Sequence, residues 1–157
     1  MKKKIIKWGL IVLVGGLVVG GGIVLYLFNM PHRDVQAAIA DYEISANQLV
    51  REYLDDSKAA NNKYLQEEGE SKILAVSGTV ASIDEDMNQQ KVILLKTPES
   101  KAGVSCTFMA TTNVNAGKLK VGDQVKIKGV IRSGAGYDED LELYEDVILE
   151  KCDVINN

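Results

Sequence analysis

The stretch Ile73–Asp84, ILAVSGTVASID, places Leu74, Val76 and Val80 on one face at a spacing of two, with Gly78 breaking the run at its middle. Period-two apolar patterning is that of a strand packed on one side. A glycine inside such a strand marks a bulge or sharp bend, where the strand leaves one sheet and enters another. A small barrel turns its corners in this way. Gln124–Arg132 repeats the design: Val125, Ile127 and Ile131 alternate with Lys126 and Lys128 around Gly129.

Three further strands are expected around these two. After the turn Asp84–Asn88, Lys91–Lys96 (KVILLK) is one, and Gly103–Met109, with Val104, Cys106 and Phe108 on a single face, is the next. Thr111–Leu119 has low strand propensity and suits a connector or a short helix. Val121–Asp123 is a tight turn, Ser133–Asp146 a glycine-bearing acidic loop, and Val147–Ile155 the last strand. Five strands with one interrupting connector predict a partly open Greek-key barrel.

Upstream, no residue from Trp8 to Met30 is charged, and about 20 apolar residues suffice to cross the hydrocarbon core. A transmembrane helix is expected at 8–30. The run lacks the shorter apolar centre and small-x-small ending of a cleavable signal, and no cysteine follows it to carry a lipid. Lys2, Lys3, Lys4 and Lys7 precede it, so the positive-inside bias keeps residues 1–7 in the cytoplasm and the barrel outside. Gly16 and Gly20 form a small-xxx-small pair through which two spans could dimerise. Beyond Pro31, residues 31–70 read as a helical lead-in to a barrel at 71–157. Ile39, Tyr42, Leu49, Tyr53, Leu54 and Tyr64 recur at helical spacing, as packing residues do. Ser45 is placed to cap ANQLVREYL, and Asp55–Ser57 mark a second helix start before KAANNKYL.

The formal charge of -4 conceals an asymmetry, because all 22 Asp and Glu lie beyond Met30. Without its four N-terminal lysines the chain is more acidic still, which disfavours phosphate-rich partners. Cys106 and Cys152 are either a disulfide, if the barrel meets an oxidising compartment, or two buried thiols. Zinc is not expected: no CxxC exists, and the sole histidine, His32, adjoins the span. Asp84, Asp86 and Asn88 imitate an EF-hand opening, but Gln89 and Leu95 stand where glycine and glutamate belong, so a hairpin turn is the better reading. The acidic run Asp138–Asp146 is either a solvated loop or a set of calcium ligands.

Several segments together resemble the tRNA_anti-like family of OB-fold proteins, which occurs in bacterial membrane and secreted contexts. They are SANQLVREYLDDSKAANNKYL, VSGTVASI, VSCTF, LKVGDQVKIKGVI, the Gly136-Tyr137 and Asp140-Leu141 loop, and VILEKCDVI, covering about Ile44 to Ile155. The resemblance implies a mainly β fold, a five-stranded OB barrel preceded by short helices, and it implies little about activity. In such a barrel the strands bearing Cys106 and Cys152 are neighbours.

No Ser-His-Asp set, Cys-His pair or phosphate-cradling glycine loop is present, so no enzyme is expected and no cofactor. The usual OB binding face offers Lys91, Lys96 and Lys101, with Phe108 turned to the core. Tyr137 and Tyr144 lie among acids in the last loop. These five are the candidate binding residues. They suit a protein, peptide or oligosaccharide partner at the envelope better than single-stranded nucleic acid, which wants stacked aromatics and an excess of cations. A structural assembly module without a small ligand is the third reading.

Overall fold

The computed structural model describes residue 16, residues 19–24, 34–66 and 71–155. Most of the span expected at 8–30, with its flanking lysines and His32, lies outside them. Gly16 and residues 19–24 are helical, and among the described residues no helix is long and apolar enough to cross a membrane. Residues 1–34 and 35–157 form separate units, and the second holds the barrel.

In chain order the barrel unit comprises β1 (Tyr42–Ser45), α1 (Ala46–Asp55), α2 (Ser57–Tyr64), β2 (Ile73–Glu85), β3 (Lys91–Leu95), β4 (Val104–Phe108) and α3 (Asn113–Ala116). β5 (Gln124–Ser133), β6 (Gly136–Asp138), β7 (Leu143–Glu145) and β8 (Val147–Val154) follow. The order β2-β3-β4-β8-β5 closes by pairing β5 back onto β2. β4 and β8 run parallel and the other barrel pairs antiparallel. The barrel is therefore closed, where the sequence predicted one partly open.

Gly78 sits at the corner. Ile73–Thr79 of β2 pair with β5, and from Val80 onward β2 pairs with β3 through a register shift between Val80 and Ser82. A Cβ at Gly78 would stand 3.2 Å from Ala46 Cβ and from Leu95 Cβ, so the bend is also where α1 and β3 press on the strand. Gly129 plays the matching part in β5, where the register with β8 shifts between Lys128 and Val130. A Cβ there would fall 2.6 Å from Cys152 Sγ.

The inward faces of the five strands supply Leu74, Val76, Val80, Ile93, Leu95, Val104, Phe108, Ile127, Ile131 and Leu149, all buried. Each such side chain contributes about 1.5–3 kcal/mol by leaving water. Both helices start where the sequence placed them. Ser45 accepts from the Gln48 amide and Asp56 from the Ala59 amide, caps worth about 1 kcal/mol each. Ala46, Leu49 and Tyr53 of α1, with Ala60 and Tyr64 of α2, join the barrel core. The lead-in thus belongs to the same packed unit as the strands.

Its first part is not helical, however. Tyr42–Ser45 form β1, parallel to Leu74–Ser77 of β2. Asp41 accepts from the Ile73 amide at 2.8 Å, and Lys128 Nζ donates to the carbonyls of Gln36 and Ala38. Backbone pairing and these two side chains outweigh the helical spacing of Ile39 and Tyr42, and Ile39 is left exposed.

Candidate functional site

The turns from α1 to the hairpin β6–β7 build a cleft of about 710 Å³. Its first wall is a stripe of α1, Asn47, Val50, Arg51, Leu54 and Asp55, at i, i+3/i+4 and i+7/i+8 beside the stripe that enters the core. The turn after β3 supplies Thr97, Glu99, Ser100 and Lys101. Ser100 Oγ donates to Asn47 Oδ1 at 2.8 Å and Lys96 Nζ to the Lys101 carbonyl at 3.1 Å, which ties this turn to the helix and braces its end.

The hairpin forms the second wall. Tyr137 and Tyr144 are directly opposed across β6 and β7, their ring centroids 4.8 Å apart and tilted by 50°. Cross-strand aromatic pairs of this kind stabilise a short ribbon. Its turn is made by Asp138, whose carboxylate accepts from the amides of Asp140 and Leu141 at 2.8 and 3.0 Å, with Glu142 at a positive φ of 52°. Lys101 Nζ lies 5.2 Å above the Tyr144 ring, within the range of a cation–π contact.

Tyr53 connects the cleft to the core. It lines the cleft yet is only 2% exposed, and a side-chain carbon at Gly134 would run into its ring. Among the described residues its hydroxyl is the one buried side-chain polar atom without a hydrogen-bond partner. Burial, with smaller contributions from Tyr64 and Glu52, pushes its pKa up from 10.0 to about 12. Next to it on α1, Glu52 is fully engaged. It accepts from Lys63 Nζ at 2.9 Å, Tyr64 Oη at 2.7 Å and Gln48 Nε2 at 3.2 Å, and the Lys63 bond foremost holds its carboxyl below the ordinary value. Arg51, Asp55, Glu99 and Lys101, in contrast, form no salt bridge among the described residues. The cleft thus presents two aromatic faces, a buried phenol, and two cations balanced by two acids, all without partners of opposite charge.

Three of the five candidate residues, Lys101, Tyr137 and Tyr144, meet in this cleft. The other two do not. Lys91 is paired with Glu85 at 2.7 Å, and its amide donates to Asn113 of α3, which also holds the Gln89 carbonyl. Lys96 serves as the brace already described. The sequence missed Arg51, Tyr53, Asp55 and Glu99. The α1 residues were detectable as a polar stripe beside the apolar one, but nothing in their spacing names the hairpin opposite.

Cys106 and Cys152 are buried free thiols on the neighbouring strands β4 and β8. Asp86 accepts from the amides of Asn88 and Gln90, so a hairpin turn is present as expected, but it runs over Asp86–Gln90, with Asp84 still in β2. The stretch Ser133–Asp146, expected to be a loop, contains the β6–β7 hairpin, and its Asp138 is committed to the turn. No group of three or more His, Cys, Asp or Glu among the described residues is arranged to hold a metal ion.

Comparison with known families gives a match to the tRNA_anti-like model over residues 1–143. The chain belongs to the tRNA_anti-like family. That assignment agrees with the resemblance read from the barrel motifs, and its matched region includes the N-terminal segment and all but the end of the hairpin. Among solved structures, this tRNA_anti-like chain is similar to a "putative nucleic acid-binding lipoprotein" from Klebsiella pneumoniae subsp. pneumoniae MGH 78578. The two share 14% identity and a TM-score of 0.53, over 81% of this chain and 100% of the other. At that identity the likeness is one of fold. An OBody, NL8, bound to hen egg-white lysozyme, is 21% identical over 54% of this chain and 96% of the other, with a TM-score of 0.37. No curated protein matches.

Proposed function

We propose that this tRNA_anti-like protein is a non-enzymatic binding module tethered at the cell envelope, which takes a peptide, protein segment or oligosaccharide in the cleft between α1 and the β6–β7 hairpin. The observation that carries the reading is the Tyr137–Tyr144 pair facing unpaired polar side chains in a cleft of about 710 Å³, a volume within the range of ordinary ligand sites. It lies beside the loop before the last barrel strand, which OB folds use for oligonucleotides and oligosaccharides. Tethering rests on the uncharged run 8–30 and its flanking lysines. The Klebsiella relative is called a lipoprotein, whereas here no cysteine follows the apolar run, so the helix itself is the anchor.

Single-stranded nucleic acid is the second reading, favoured by that relative's description and by Arg51 and Lys101. Asp55 and Glu99 in the cleft, and Asp138, Glu139, Asp140, Glu142 and Glu145 around it, oppose it, since phosphate contacts need an excess of cations. Fluorescence anisotropy of the full chain in detergent tests both, using labelled oligo-dT, RNA, chitotetraose and short peptides at low and physiological salt. The expected result is binding of a peptide or of chitotetraose that Tyr137→Ala weakens and Lys91→Ala leaves unchanged. Salt-sensitive nucleic-acid binding lost in Arg51→Ala and Lys101→Ala would move the assignment to the second reading, and no binding of any probe would remove the cleft from consideration.

A further inference from the structure

The cleft already contains a cation seated on one of its aromatic faces. Lys101 is exposed and joins no salt bridge among the described residues, yet its ammonium lies above the Tyr144 ring. Tyr137, the other half of the pair, is 51% exposed. Two carboxylates in the same cleft, Asp55 and Glu99, join no salt bridge among the described residues, with Arg51 the other cation beside Lys101 there, and the hairpin beyond carries an acidic turn. An incoming cation is attracted by these acids and received by rings whose faces are electron-rich. A second feature points to a ligand with a hydrogen-bond acceptor. Tyr53 is nine-tenths buried and more, lines the cleft, and has a hydroxyl that is closed to solvent and meets no hydrogen-bond partner among the described residues. Buried donors are ordinarily satisfied, and the exceptions call for a partner.

We propose that the ligand is a basic peptide segment: a lysine or arginine side chain lies on the Tyr137–Tyr144 pair in the place Lys101 now takes, and a peptide carbonyl accepts from the Tyr53 hydroxyl once the ligand parts the side chains that close it from solvent. This rests on the reading of the cleft as a ligand site and narrows it to one class. A neutral glycan supplies acceptors for Tyr53 but leaves Asp55 and Glu99 unmatched. A polyanion meets them as like charges. A peptide with one basic residue satisfies the rings, the acids and the phenol together, and Lys101 acts as an internal competitor for the aromatic face.

The competitor role yields a test that a merely structural lysine fails. The probe is a fluorescein-labelled peptide, Gly-Gly-Lys-Gly-Gly, against its norleucine analogue, which keeps the aliphatic stem and lacks the charge. With the full chain in detergent, the lysine peptide is expected to bind about 2- to 5-fold more tightly than the norleucine one, the scale of a cation–π contact at an exposed ring. Tyr137→Ala and Asp55→Asn weaken it, Tyr53→Phe weakens it by about 3- to 10-fold through one lost hydrogen bond, and Lys101→Met tightens it. Tyr137 and Asp55 are exposed, so these variants fold, as circular dichroism would check. Equal binding of the two peptides, or weakening by Lys101→Met, overturns the proposal. If chitotetraose binds with Tyr137 dependence while the lysine peptide does not, the cleft stands as a ligand site and only the basic-peptide assignment falls; if neither binds, both fall.

Discussion

Tyr53 illustrates how a single side chain can serve packing and recognition at once. Its ring fills the space that Gly134 leaves open, and its hydroxyl is buried without a hydrogen-bond partner among the described residues. An unsatisfied buried hydroxyl costs about 1–3 kcal/mol, and replacing it by an apolar group of the same shape is neutral or stabilising. Tyr53→Phe should therefore raise the urea midpoint, the opposite of its effect on ligand binding. The same phenol has a signature in alkali. Burial disfavours the phenolate and pushes its folded pKa from the ordinary 10.0 up to about 12. Its ionisation does not affect stability below pH 10, and as the pH rises from 10 through about 12 the unfolded chain loses this proton first, so stability falls across that window. Phenolate absorbance of the folded protein should show a late-titrating step that shrinks by one tyrosine in Tyr53→Phe, and the alkaline loss of stability should be shallower in that variant. An unchanged titration would mean that the Tyr53 hydroxyl is in water.

Among the strands and helices, those with a strong period or a cap were legible. β2 and β5 announced themselves by alternation around a glycine, and α1 and α2 by Ser45 and Asp56, because these signals are local. β1 was not legible. Its four residues, YEIS, bury only Ile44, and they become a strand because β2 offers an edge there. The β6–β7 hairpin was hidden for a similar reason: three-residue strands have no period to detect, and their stability comes from the Tyr137–Tyr144 pair and the Asp138 turn. That Lys91 stands apart from the cleft was hidden likewise, since a sequence shows that it is a cation but not that Glu85 pairs with it. β4 and β8 carry the cysteine pair and are parallel neighbours in the barrel. Burial, with Cys106 alongside, pushes the Cys152 thiol well above its usual pKa, which suppresses the reactive thiolate. Iodoacetamide should leave the native chain unmodified and label both of its cysteines in denaturant, read by intact mass. No labelling in denaturant before reduction would instead establish a Cys106–Cys152 disulfide, a cross-link worth about 3–4 kcal/mol in the chain-entropy model.

The chain as a whole divides its charge as it divides its units. The four lysines before the apolar run are matched by no acid, and every one of the 22 acids follows it. If the uncharged run is a single span, lysine retention in the cytoplasm sets its orientation, and the proposed binding module is then expected outside the membrane, within reach of the proposed basic peptide. The family match covers residues 1–143 and so includes the N-terminal segment. Protease added to spheroplasts should then degrade the barrel while a tag placed before Lys2 survives, and the chain should sediment with membranes and resist extraction by high salt, because its attachment is apolar. The reverse protection pattern would place the barrel in the cytoplasm. There the envelope partner would be out of reach, oxidation of Cys106 and Cys152 would be disfavoured, and the case for nucleic acid at Arg51 and Lys101 would strengthen, although the cleft's own acids would still oppose it.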